Sequence, residues 1–233
     1  MKVLFVNPGR DLGGAEQSLL LLLDALRRSG VDPMVATFGD GPFSAALLER
    51  HIPVAYVSIP DAVREKSRYH HPEGRLESMT LAARSVPAVW ELARIARSHK
   101  SELIHTNGIK AHLLGGLAGR LLWKPVVWHV RDFPPEGMNG MGLRAAARAL
   151  PKLVFTNSDA VAAAVRSRAA PRAPVVTLYN PVDLDRFTPR RSGRTVRAEL
   201  KVPEDTPLVG MVAHLTPWKG HADFLRIART VTL

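Results

Sequence analysis

The sequence lacks cysteine, lacks long apolar runs and has fewer acidic than basic residues. The absence of thiols excludes a disulfide framework, a thiolate zinc site, an iron–sulfur cluster and a cysteine nucleophile. The longest apolar run near the start covers residues 19–23, whereas a membrane span needs about 20 residues. The first apolar run, residues 3–6, is too short for a signal peptide. We therefore expect a cytoplasmic protein.

The shortage of acidic residues leaves a strongly basic chain. Its 32 Lys and Arg residues against 21 Asp and Glu residues give a formal net charge of +11. Such a surface attracts phosphates, nucleotides and anionic membranes. The basic stretch 186–201 is interpreted as a solvated linker face, so no nucleic acid is expected as a partner. Peripheral contact with the inner face of an anionic membrane is expected.

The chain alternates short β-rich runs with longer helical ones. The β-rich runs are apolar along their whole length, which is typical of strands that are covered on both faces. This alternation predicts an α/β fold built on a doubly wound parallel sheet, Rossmann-like in type. The predicted helices are 14–29, 45–50, 79–98 with an interruption or kink near Pro87, and 158–168. The predicted strands are 2–7, 33–38, 53–59, 102–107, 126–131, 152–157 and 174–180.

A change of character after residue 180 predicts a domain boundary. Residues 1–185 form the first domain, and the polar, proline-containing stretch 186–206 is interpreted as a linker. Residues 207–215 are predicted as a new first strand, followed by a helix over 220–230. A single strand and one helix cannot bury their own faces, so we expect 207–233 to be the start of an incomplete second Rossmann-like domain. The alternative is that 207–233 adds one edge strand to the first sheet.

A glycine-rich turn joins the first strand to the first helix. Gly13 and Gly14 allow backbone N–H groups to approach a phosphate, and the helix N-terminus favours negative charge. The spacing is not that of a dinucleotide fingerprint, because residues 9–14 have the sequence GRDLGG and no clean ribose-binding acid follows the second strand. The alternative is an ordinary turn. Lys219, just before the last helix, is a second candidate for holding an anion at a helix N-terminus.

Two clusters of polar residues stand at the carboxyl ends of neighbouring strands. They are residues 105–108, which include Asn107, and the run His129 to Asp132. Ligands of doubly wound sheets bind at this edge. We predict that Asn107, Arg131 and Asp132 bind an acceptor and that His129 contacts a sugar or transfers a proton. The alternative is that the histidine has only a structural role, as a hydrogen-bonded residue at the edge of the sheet.

In their order and spacing, six segments resemble the retaining glycosyltransferases with two Rossmann-like domains, known as family 4, which have the GT-B architecture. The resemblance runs from the first strand to the last helix. The segments are GGAEQSLLLLLDALRRSG (13–30), HTNGIKAHLLGGLAGRL (105–121), VVWHVRD (126–132), FTNSDAVAAAV (155–165), YNPVDLDRF (179–187) and VGMVAHLTPWKGHADFL (209–225).

The resemblance implies an acceptor-binding domain over 1–185 and a second domain that binds a nucleotide-sugar, the donor substrate. Gly13 and Gly14 match the loop that approaches the donor phosphates. His129 matches the histidine that contacts the transferred sugar, and Lys219 matches the lysine that neutralises the departing diphosphate. Such enzymes work without a bound metal or other cofactor. The implied acceptor is a glycan, a lipid-linked molecule or a small molecule.

Two departures from the family pattern stand out. His214 occupies the position where the family usually places an arginine, and a histidine compensates a diphosphate less well. The chain also ends before the paired-glutamate motif, so we expect a truncated enzyme that is inactive alone. The alternatives are a split or non-catalytic acceptor-binding module and an NAD-dependent Rossmann oxidoreductase, against which the glycine spacing argues.

Overall fold

The computed structural model of the protein describes residues 1–61, 80, 83–135, 137–189 and 192–231. The chain divides into two compact units, Met1–Asp183 and Leu184–Leu233. Among the described residues, no helix is both long enough and apolar enough to cross a bilayer.

The first unit contains seven strands and six helices within the described residues. The strands are β1 (Lys2–Asn7), β2 (Asp32–Thr37), β3 (Val54–Tyr56), β4 (Leu103–Asn107), β5 (Val126–Val130), β6 (Leu153–Thr156) and β7 (Val175–Thr177). The helices are α1 (Gly14–Arg28), α2 (Pro42–Glu49), α3 (Val86–Ser98), α4 (Ile109–Leu121), α5 (Gly137–Ala149) and α6 (Asp159–Ala164), which continues as a π-helical turn (Val165–Ala169).

All seven strands form one parallel sheet in the order β3-β2-β1-β4-β5-β6-β7. This order confirms the predicted doubly wound α/β fold. Successive strands are added outward from β1 on one side of the sheet and from β4 on the other. The connections after these two strands therefore lead away from each other and leave a crevice at the carboxyl ends of β1 and β4. A ligand site is expected at that crevice.

The two faces of the sheet are covered by different helices. Residues that alternate along a strand point to opposite faces. Val3 and Phe5 of β1 therefore pack in one cluster with α1 and α2, whereas Leu4 packs in the other with α3 to α6. Burial on both faces explains why the β-rich runs of the sequence are apolar throughout.

The predicted interruption near Pro87 is confirmed, because Ser85 is a turn residue, α3 begins at Val86 and Pro87 lies in its first turn. A proline is tolerated there, since the N–H that it lacks has no partner within the helix. Most of the predicted helical stretch that precedes Ser85 lies outside the described residues. The two edge strands, β3 and β7, are shorter than predicted because each has a neighbour on only one side.

The predicted strand over 207–215 is wrong. Within the second unit, the described residues form α7 (Arg194–Leu200), a 3₁₀ turn (Pro217–Lys219) and α8 (His221–Val231), and residues 207–215 take no strand conformation. A strand needs a neighbour for its N–H and C=O groups, and no described strand pairs with this segment. The predicted linker 186–206 contains α7, and α8 confirms the predicted last helix.

We expect that deletion of residues 207–233 will leave the melting temperature within a few degrees and reduce self-association. The described part of the segment holds seven exposed large apolar side chains, and α8 has no buried residue. Exposed apolar surface favours association at about 25 cal/mol per Å² buried. Calorimetry and light scattering of both chains test this. A fall of many degrees on deletion would show that the segment stabilises the sheet. The seven side chains are those of Leu208, Val209, Val212, Leu215, Leu225, Ile227 and Val231.

Candidate functional site

Four asparagines stand where strands of the first sheet end. Asn7 and Asn107 close β1 and β4, and Asn157 and Asn180 follow β6 and β7. Because all the strands are parallel, their carboxyl ends meet at one edge of the sheet. Arg131, which follows β5, lies between them and joins them. We refer to these four side chains and Arg131 as the asparagine–arginine network.

The guanidinium of Arg131 is the centre of this network. Its Nε donates to Asn107 Oδ1 at 2.7 Å, and its Nη1 donates to Asn180 Oδ1 at 2.5 Å and to Ser18 Oγ at 2.9 Å. Its backbone carbonyl accepts from Asn157 Nδ2 at 2.9 Å. Arg131 therefore joins β4, the chain after β7 and α1 through its planar guanidinium, and joins β5 to β6 through its backbone carbonyl.

The network continues to the start of the first helix. Asn107 Nδ2 donates to Asn7 Oδ1 at 2.6 Å, and Asn7 Nδ2 donates to Glu16 Oε1 at 3.1 Å. Burial lowers the pKa of Arg131 to about 10, although the neighbouring Glu16 and Asp132 carboxylates favour its charged form and raise the pKa. Arg131 is therefore a cation at neutral pH.

His129 lies beside the network and is almost completely buried. Its Nδ1 is 3.5 Å from Arg131 Nη2, which can only donate, so this contact places the imidazole proton on Nε2. Nε2 has no partner among the described residues. Burial, together with the neighbouring Arg131 charge, lowers the pKa of His129 to about 2, so the ring is neutral at physiological pH. The ring packs edge-on against His105, with 5.5 Å between ring centroids.

Burial also lowers the pKa values of His105 and His112 to about 3. An unfolded histidine titrates near 6.5, so below that pH the unfolded chain binds protons that the folded chain does not. The contribution of these three histidines to the free energy of unfolding should therefore be constant above pH 7. It should then fall as the pH drops from about 6 towards 3, by up to about 4 kcal/mol per pH unit for the three histidines.

Urea denaturation at a series of pH values measures this dependence. His129→Gln should remove about one third of the slope, whereas the exposed His51→Asn should leave it unchanged. Equal slopes for His129→Gln and the parent chain would contradict the assignment of a buried neutral ring.

The predicted glycine turn lies at the N-terminus of α1. Gly13 is the N-cap residue, and Gly14 is exposed, with no atom within 4 Å of a Cβ built on it. The first-turn N–H groups have no partner within the helix, so an anion could approach them here. Glu16, in the same turn, places a carboxylate next to that approach. Donor phosphate binding by Gly13 and Gly14 remains a prediction.

The other predicted site residues fall into two groups. The structure brings Asn107, His129 and Arg131 together, and Asp132 follows them as an exposed residue at the same edge. His214 and Lys219 belong to the second unit, where both are exposed, and their role at the donor phosphates remains a prediction. Among the residues that the structure describes, no three His, Asp or Glu side chains could together hold a metal ion.

Sequence reasoning missed five members of the site: Asn7, Asn157, Asn180, Ser18 and Glu16. Asn7, Asn157 and Asn180 could have been found from the sequence, because four of the predicted strands end in asparagine. Ser18 could not be found in this way, since its partner Asn180 lies 162 residues further along the chain.

The model of Glycosyltransferase Family 4 matches residues 12–186, which is more than half of the chain and includes the whole network after Asn7. The chain belongs to glycosyltransferase family 4. The resemblance inferred from the six sequence segments is therefore confirmed. No curated protein matches this glycosyltransferase chain.

Several solved structures share the fold. The Anabaena Alr3699/HepE structure in complex with UDP and glucose has a TM-score of 0.76 and 26% identity, covering 99% of this chain and 58% of that one. The same protein in complex with UDP-glucose gives a TM-score of 0.74 and 28% identity, covering 99% and 57%. A glycosyltransferase from Rickettsia africae ESF-5 matches with a TM-score of 0.72 and 16% identity, covering 99% and 57%. The chain thus spans less than two thirds of the length of these relatives.

Proposed function

We propose that this chain is the acceptor-binding part of a cytoplasmic glycosyltransferase. The enzyme moves a sugar from a nucleoside-diphosphate sugar to a glycan, lipid-linked or small-molecule acceptor, with retention of the anomeric configuration. The observation that supports the proposal most strongly is the asparagine–arginine network, which lies where the strand order of the sheet reverses. The chain that contains this network belongs to glycosyltransferase family 4.

The chemistry of the network supports a sugar ligand. Sugar hydroxyls both donate and accept hydrogen bonds, and side-chain amides offer both functions in one group. The amides of Asn7 and Asn107 are held by their neighbours, so little conformational freedom is lost when a ligand meets this edge. Arg131 supplies a fixed positive charge beside them. Asn107, Arg131 and Asp132 are proposed to bind the acceptor.

On the donor side, support comes from the Anabaena relative, which was crystallised with UDP and glucose and with UDP-glucose. We propose that Gly13 and Gly14 of this chain face the donor phosphates, together with Lys219 and His214. The leaving diphosphate gains negative charge as its bond to the sugar breaks. A lysine and helix N–H groups placed to meet that charge would stabilise the transition state without a metal or other cofactor.

His129 is proposed to contact the transferred sugar. Its low pKa keeps the ring neutral, so it would act as a hydrogen-bonding group and not as an acid. The proton on Nε2 is the one available for a sugar oxygen. Because Nε2 is buried in this structure, such a contact requires movement of the covering side chains when the substrate binds.

A transfer assay tests the proposal. Radiolabelled UDP-glucose, GDP-mannose and ADP-glucose are offered with extracted lipid-linked and glycan acceptors to two proteins. One is the 233-residue chain. The other is this chain extended by the part of the Anabaena relative that has no counterpart here. We expect transfer by the extended chain and little or none by the chain alone.

Two outcomes would contradict this proposal. Robust turnover by the 233-residue chain alone would show that the donor site does not depend on the further part. Failure of a folded extended chain with every donor, combined with NAD-dependent oxidation of a test alcohol, would favour the oxidoreductase alternative. A binding module without catalysis would take up acceptors but transfer no label in either form.

A further inference from the structure

A groove of about 510 Å³ runs between α3 and α4, on the outer side of one helical layer of the first unit. Two exposed tryptophans belong to this part of the chain. Trp90 lines the groove and is 61% exposed, and Trp123, which directly follows the lining residue Leu122, is 85% exposed. The groove is also lined by Leu121, Leu122, Arg94 and Arg97. Tryptophan side chains that are exposed to this extent are uncommon on a protein surface that contacts only solvent.

The helices of this layer carry mostly positive charge. The helices α3, α4 and α5 together carry six basic residues and one acidic residue, whereas α1 and α2 on the opposite layer carry two basic and three acidic residues. Among the described residues, none of the exposed arginines of α3 to α5 forms an ion pair. The one acid, Glu91, accepts a hydrogen bond from the backbone N–H of Ser58. The helices α3 to α5 therefore carry a net charge of +5, whereas α1 and α2 together carry a net charge of −1.

The backbone holds Trp123 in an unusual position. Its φ is 56°, in the left-handed region where glycine is the favoured residue, and it follows the C-cap of α4. The turn is closed by a hydrogen bond from Lys124 N–H to the Gly119 carbonyl. The Arg120 guanidinium lies 5.6 Å from the centroid of the Trp123 ring. A bulky residue in this conformation costs stability, yet the exposed ring gains little packing in return.

We propose that the groove between α3 and α4, with Trp90 and Trp123 at its surface, docks onto an anionic lipid bilayer. Tryptophan prefers the interface between headgroups and acyl chains, because its apolar ring carries one polar N–H. Arginine stems can lie along the same apolar surface while their guanidinium groups reach lipid phosphates. This surface lies in the helical layer and not at the asparagine–arginine network, so docking does not depend on the proposed transfer activity.

Vesicle binding by the 233-residue chain tests the proposal. The probes are vesicles of phosphatidylcholine alone and of phosphatidylcholine mixed with phosphatidylglycerol, at low and high salt. We expect sedimentation with the anionic vesicles and a blue shift of tryptophan emission, both weakened by salt. Trp123→Gly should weaken binding at least about tenfold. Arg94→Gln and Arg97→Gln should each weaken it about fivefold.

Matched controls separate docking from folding and from net charge. Trp123→Gly places glycine in a left-handed position, so its melting temperature should stay the same or rise. Arg28→Gln on the opposite layer removes the same charge as Arg97→Gln and should bind as the parent chain does. Phe187→Ser removes an exposed aromatic ring that also has an arginine over it, and it too should leave binding unchanged.

Four results would overturn the proposal. The first three are equal binding to neutral and anionic vesicles, parent-like binding by Trp123→Gly, and equal losses for Arg97→Gln and Arg28→Gln. If the parent chain binds no vesicle but Trp123→Gly changes its oligomeric state, the surface is a protein interface and the lipid proposal is wrong.

Discussion

Arg131→Ala is expected to lower the free energy of unfolding by about 2–4 kcal/mol, which corresponds to a fall in melting temperature of about 5–15 °C. The substitution removes hydrogen bonds to Asn107, Ser18 and Asn180 and leaves the buried Asn107 Oδ1 without its partner. A buried acceptor without a donor costs about 1–3 kcal/mol, and bonds from a charged donor are among the stronger ones. Thermal and urea denaturation measure the loss.

Two further variants sharpen this test. Arg131→Lys keeps the charge but cannot reproduce a planar fork that reaches two asparagines and a serine, so we expect it to recover only part of the stability. Arg28→Ala removes one exposed arginine from α1 and should cost less than about 0.5 kcal/mol. If Arg131→Ala were as stable as Arg28→Ala, Arg131 would not organise the carboxyl edge.

His129→Gln is expected to reduce turnover by about 100-fold in the extended chain, the scale of losing one preorganised polar contact in a transition state. Glutamine is preferred to alanine because His129 is buried, and truncation to alanine would also open a cavity. The melting temperature of His129→Gln should change by only a few degrees. Turnover and melting temperature are measured on the same preparation.

His105→Gln is the matched control for that variant. Both rings are buried on the same face of the sheet and pack against each other, but only His129 contacts Arg131. We expect His105→Gln to keep most of the turnover. Equal losses for both variants would mean that packing of the pair, and not a sugar contact by His129, explains the effect. Full turnover by His129→Gln would exclude the predicted role outright.

Much of the fold follows from local pattern. The strands β1, β4 and β5 lie within one residue of their predicted bounds, because an apolar run that is buried on both faces leaves little choice of conformation. The segment 207–215 has the same composition as a strand, but no strand among the described residues pairs with it. Local composition cannot reveal whether a hydrogen-bonding neighbour exists, so the prediction failed there.

The candidate site was predictable only in part. The rule that ligands meet parallel sheets at the carboxyl edge was enough to select Asn107, His129 and Arg131. The central position of Arg131 depends on contacts across 49 residues to Asn180 and 113 residues to Ser18. Such pairings are set by the tertiary fold, and no spacing in a single sequence encodes them.

The most direct test of the proposed site uses the asparagines themselves. The chain contains five asparagines, four of which belong to the network, while Asn139 lies in α5. Selective ¹⁵N labelling of asparagine therefore gives a spectrum with only five side-chain amide pairs, which can be assigned by single substitutions.

We expect the side-chain amides of Asn107 and Asn7 to shift on titration with UDP-glucose or with free glucose at millimolar concentration, while Asn139 stays in place. In Arg131→Lys the same two pairs should move before any ligand is added. If no network asparagine responds to either ligand, or if Asn139 alone responds, sugar substrates do not bind at the carboxyl edge around Arg131.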